Sequence, residues 1–162
     1  MKADYKRAPE TGCCARFDPK PWDEKTITFR NKLFLKDHIT TLFYMPIGFG
    51  KAMVRNMDKI EAAGAIGEQL MLYDCTSMFG ADLYIAVGKD VPNAKMERIS
   101  GTFLSKVFEG PFKDNGKWVK QMDAYVASKG KTMKHLYFYY TTCPACAKVY
   151  GKNYTVLLAQ IE

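Results

Sequence analysis

Shifting the 162-residue chain by 66 positions brings its two halves into register, and this repeat sharply limits the folds open to it. Gly50-Lys51 falls on Gly116-Lys117, Ile60 on Val126, and Gly64 on Gly130. Leu70-Met71-Leu72-Tyr73 falls on Leu136-Tyr137-Phe138-Tyr139. One supersecondary unit used twice leaves a seam between the copies, where a ligand can sit.

Each half reads strand, helix, strand, strand. In the first, 26–34 and 41–44 are rich in β-branched and aromatic residues, which favours extended chain. Met53, Met57 and Ile60 then mark one helical face over 50–63, and Gly64 is suited to end it. Strands follow at 69–73 and 82–87, with a turn near Ser77–Gly80. The second half opens with a strand at 99–108. Trp118, Met122, Tyr125 and Val126 mark a helix over 117–129, which Gly130 ends. Strands at 134–141 and 153–161 complete it.

The expected fold class is α+β, with duplicated strand-helix-strand-strand units and a mostly antiparallel sheet. Helices cover one face, and a ligand groove lies on the pseudo-twofold axis. Residues 1–25 form an irregular arm, because Pro19 and Pro21 prevent a regular helix or central strand. Residues 26–162 form a single domain, with unit one about 26–90 and unit two about 96–162. Strand alternation places Leu70, Leu72, Leu136 and Phe138 under the helices. Met71, Tyr73, Tyr137 and Tyr139 take the other face, since a phenol hydroxyl is costly to bury without a partner.

The formal charge of +7 comes from lysines and arginines mixed with acids along the chain, as in Lys95-Met96-Glu97-Arg98. Nucleic-acid binding normally needs a basic cluster and is not expected. No apolar run approaches the length of a membrane span, and Met1–Arg7 carries no secretion signal. A cytoplasmic protein with no membrane partner is the expectation. Five cysteines argue against a disulfide framework there. Cys75 reads as a buried small residue.

From Ser100-Gly101-Thr102-Phe103 through Phe108-Glu109-Gly110-Pro111-Phe112 to Tyr137-Phe138-Tyr139, the second half resembles the GyrI-like (gyrase-inhibitor-like) effector-binding domain. The resemblance extends loosely over 26–161. It implies two strand-helix-strand-strand units about a pseudo-twofold axis and a small-molecule groove between them. Members include drug-sensing parts of transcription activators, free-standing binders, and hydrolases that open cyclopropane-containing xenobiotics inside an aromatic cage. The implied type here is a stand-alone member. The family's Glu-x-Tyr pattern falls on Tyr137 and Tyr139, so the acid that holds cationic drugs is missing.

The expected ligand is therefore a small, largely apolar or aromatic molecule. Tyr137, Tyr139, Tyr73, Trp118 and Phe108 are candidate walls, and Trp22 of the arm is a candidate lid. For hydrolysis of an electrophilic xenobiotic, Glu109 and Tyr139 are the candidate catalytic residues. Phe108 and Phe112 would dry the Glu109 carboxylate. Asp74 and His38 are further acid–base candidates, and no Ser-His-Asp, phosphate-loop or His-Glu-x-x-His pattern is present.

No cofactor is required by this reading. The alternative is a Cys-x-x-Cys zinc or thiol-redox protein, with Cys143 and Cys146 as metal ligands or redox pair. A full zinc site would need further ligands from Cys13, Cys14, His38 or His135.

Overall fold

The computed structural model describes residues 17–141, 148 and 150–162. Within these lie β1 (Lys25–Leu42), β2 (Met45–Pro46), α1 (Phe49–Ala62), β3 (Ile66–Ser77) and β4 (Gly80–Val87). They are followed by β5 (Lys95–Glu109), a short 3-10 turn (Phe112–Asp114), α2 (Asn115–Ser128), β6 (His135–Tyr140) and β7 (Tyr154–Gln160). The fold class is α+β, and the strand pairs within each unit are antiparallel.

The described chain divides into two compact units. The first is residues 29–100; the second is 17–28 with 101–162. In the first unit the strand order is β2-β1-β4-β3. In the second it is β6-β7-β5. In each, the last strand of the strand-helix-strand-strand series pairs between the other two. Adding 66 to either bound of α1 gives the matching bound of α2.

Both helices end as their glycines require. Gly64 and Gly130 have φ of 62° and 69°, which only glycine adopts without strain. Ala65 N–H then donates to the Ile60 carbonyl at 2.9 Å, and Lys131 N–H to that of Val126 at 3.2 Å. Those bonds satisfy last-turn carbonyls.

Three expectations need correction. The segments 26–34 and 41–44 belong to one strand, β1. Asn31 has a φ of 50° inside it, and its N–H is held by Ser100 Oγ at 2.8 Å. In α1 the buried stripe is Ala52, Asn56 and Ile60, not Met53 and Met57. A buried asparagine is invisible to hydropathy, yet Asn56 is in place because it bonds a carboxylate on the strand beneath. Cys75 is exposed, beside a break in the β3–β4 register between Cys75 and Ser77.

The expected choice of faces holds in the second unit and fails in the first. In the second, Tyr140 accepts a hydrogen bond from Asn115 at the start of α2 (3.2 Å) and stacks on Phe138. Phe108 stacks on Trp118 of α2, with ring centroids 5.8 Å apart. Phe138 and Tyr140 therefore face α2, and Tyr137 and Tyr139 face away. In the first unit, Asp37, Leu83 and Tyr73 lie side by side across three strands. Asp37 bonds Asn56 and Arg55 of α1, and Tyr73 meets Phe49. Here Tyr73 lies beneath the helix, and Leu72 points the other way. The cause is a register shift between Ile66 and Met71 at the start of β3. Five residues of β3 oppose two of β4 there, and an odd offset exchanges the faces of a strand.

Candidate functional site

In the first unit β1, β4 and β3 place His38, Asp82 and Asp74 in one cross-strand row. Direct cross-strand neighbours on one face lie close enough to interact. His38 Nδ1 is 2.8 Å from Asp82 Oδ1. With Nδ1–H donating to this carboxylate, the lone pair of the neutral ring sits on Nε2. The His38 side chain is 61% exposed, while Asp82 is only 18% exposed.

Gly80 shapes this geometry. A Cβ at Gly80 would come within 2.8 Å of His38 Cε1 and 3.0 Å of Nε2. The imidazole thus lies close against β4 at a position that has no side chain.

Lys36 is next on the same face of β1. Its Nζ is 3.8 Å from Asp82 and 3.0 Å from Glu97. The bond to Glu97, opposed by burial and aided by Tyr84, holds its ammonium above the ordinary lysine value. Lys36 thus stands beside the carboxylate that bonds His38.

Behind the row, Asp37 accepts bonds from Asn56 Nδ2 at 2.8 Å, Arg55 at 2.7 Å and the His38 N–H at 2.8 Å. Burial pushes its carboxyl up, but these donors outweigh burial and hold it below the usual aspartate value. The stabilisation is therefore present above about pH 4 and is lost as pH falls below that value. Asn56→Ala is expected to cost about 1–3 kcal/mol at neutral pH, and less once Asp37 is protonated. Urea unfolding at pH 7 and at low pH measures the difference.

Leu35 to His38, Arg55, Asn56, Lys59, Asp82 and Asn93 to Lys95 line a recess of about 490 Å³. Lys59 and Lys95 have no carboxylate partner among the described ion pairs. A depression of about 650 Å³ along Gly50, Lys51, Val54 and Arg55 of α1 holds no histidine, cysteine or hydroxyl.

The second unit holds most of the aromatic candidates. Tyr137 is 8% exposed and Tyr139 is 5% exposed. Tyr139 is met by Phe17 at 5.9 Å and by Trp22 at 5.5 Å. Tyr137 packs on Phe103 and His135. The arm is tied down by Ser105, which donates to the Trp22 carbonyl, and by Asp23, which accepts from Val107 N–H.

Trp118 and Phe108 pack on each other as core beneath α2. Glu109 stands exposed at its strand end, 3.5 Å from Lys152, so Phe108 and Phe112 do not dry it. Tyr73 lies in the first unit under α1. Cys13, Cys14, Cys143 and Cys146 lie outside the described residues. Among the described residues no group of three or more His, Cys, Asp or Glu converges to hold a metal ion.

An exposed imidazole with a carboxylate behind it and a recess beside it can carry general acid–base chemistry. Residues 4–161 match the family described as "Bacterial hydrolase", and the chain belongs to that family. None of the curated proteins compared with the chain matches it. Sequence reasoning named His38 and Asp74 but missed Asp82, because a separation of 44 residues is closed only by strand register.

Proposed function

We propose that this chain hydrolyses a small, negatively charged substrate with His38 as general base. Nε2 takes a proton from water as the water oxygen attacks the electrophilic centre. The same proton then passes to the leaving group. Asp82 keeps the ring in the required tautomer and offsets the charge of the imidazolium. Lys59 and Lys95 would draw an anionic substrate into the recess. The observation that carries this reading is the 2.8 Å His38–Asp82 contact in a chain of a hydrolase family. Incubation with a panel of chromogenic carboxylic and phosphoric esters tests it. Turnover of an anionic ester is expected; no turnover across the panel contradicts it.

A second reading is favoured by the two arm rings set against Tyr139. With the arm lifted, Tyr137 and Tyr139 would form a seat for a flat apolar molecule, and Trp22 would close over it. The common strand order and the 66-residue helix offset support the duplicated, GyrI-like fold behind this reading. A thermal-shift screen with flat aromatic compounds tests it by mass action on the folded state.

A further inference from the structure

A patch of apolar side chains on the first unit is exposed on purpose-built turns. Leu42 pairs with Met45, so Phe43 and Tyr44 are the two central residues of the β1–β2 hairpin. Both have positive φ, 47° and 71°. Such a turn normally uses Asn-Gly, and bulky residues there are strained. The strain gains no burial: Phe43, Tyr44, Met45 and Ile47 are 55–69% exposed.

The neighbouring β3–β4 turn adds Met78 and Phe79, at 40% and 55% exposed. The two turns are fastened together. Thr41 N–H donates to the Phe79 carbonyl at 3.1 Å and Tyr44 N–H to that of Met78 at 3.0 Å. The Phe43 and Phe79 rings are 5.8 Å apart.

The two turns themselves carry no acid: none occurs from Ile39 through Met57 or from Cys75 through Ala81. Lys51 follows directly on α1, and Arg55 one turn on is paired with Asp37. Beside them Val54 is 63% exposed. A second copy would bring the same positive flank, on a chain of net charge +7, against itself.

We propose that this tip docks on an anionic lipid surface. The aromatic and methionine side chains enter the headgroup region, and Lys51 faces the lipid phosphates. This replaces the expectation of no membrane partner with surface docking. Among the described residues no helix is long and apolar enough to cross a membrane. The proposal is independent of the hydrolytic reading.

The test is co-sedimentation of the full chain with phosphatidylcholine vesicles, with and without phosphatidylserine. Phe43→Asn with Tyr44→Gly removes both rings and installs the residues the turn prefers, so the variant stays folded and its Tm holds or rises. Wild type is expected to bind the phosphatidylserine vesicles, and the variant at least about tenfold less. Without phosphatidylserine the wild type should bind about fivefold less. Equal binding by the variant, or binding that ignores anionic lipid, overturns the proposal. So does wild-type self-association that the variant loses while neither form binds vesicles.

Discussion

His38→Ala is expected to lower hydrolysis by about 10²- to 10⁴-fold and to leave the protein folded. The effect is large because the ring is the only imidazole among the described residues that line the recess. The fold survives because the side chain is mostly exposed and buries little apolar area. Asp82→Asn should come close to the same loss by a different route. An asparagine can turn its amide N–H toward Nδ1, which moves the ring proton to Nε2 and blocks it as a base. Rates for both variants, with far-ultraviolet circular dichroism of each, separate lost chemistry from lost structure. Unchanged rates in either variant remove the dyad from the mechanism.

Trp118→Ala is expected to cost about 3–5 kcal/mol of stability. Trp118 is 4% exposed and stacked on Phe108, on the same stripe of α2 as Met122 and Val126. Truncation leaves a cavity between helix and sheet that stiff neighbours fill only in part. Against a typical total of roughly 5–15 kcal/mol, this is a large fraction. Urea titration reads it as a fall in midpoint at constant slope. A wall residue of an open ligand site would instead change binding and barely move the midpoint. A cost below about 1 kcal/mol would return Trp118 to that role.

The element order was legible because it depends on local chemistry. Gly64 and Gly130 end helices wherever the chain goes, and Pro19 with Pro21 keeps the arm irregular. Helical stripes were legible where their members are apolar, as with Trp118, Met122 and Val126. In α1 the stripe was missed because Asn56 is buried through its bond to Asp37, which lies on a distant strand.

Strand faces were legible only where nothing slips. Tyr139 turns away from α2 as alternation predicts, but the shift at the start of β3 puts Tyr73 under α1. The candidate site was half legible for the same reason. His38 and Asp74 are conspicuous by residue type. Asp82 acquires its role only when β4 pairs with both β1 and β3. Glu109 drew attention through its aromatic neighbours, yet those rings turn to α2 and Tyr140 and leave the carboxylate in water.

The most direct measurement is chemical rescue of His38→Gly with imidazole, on whichever ester the wild type hydrolyses. If the His38 ring is the base, added imidazole enters the vacated space beside Asp82 and restores turnover, saturating with concentration. Rescue should vanish when Asp82→Asn is combined with it. Full activity of His38→Gly without imidazole would contradict the account, because some other group would then be moving the proton.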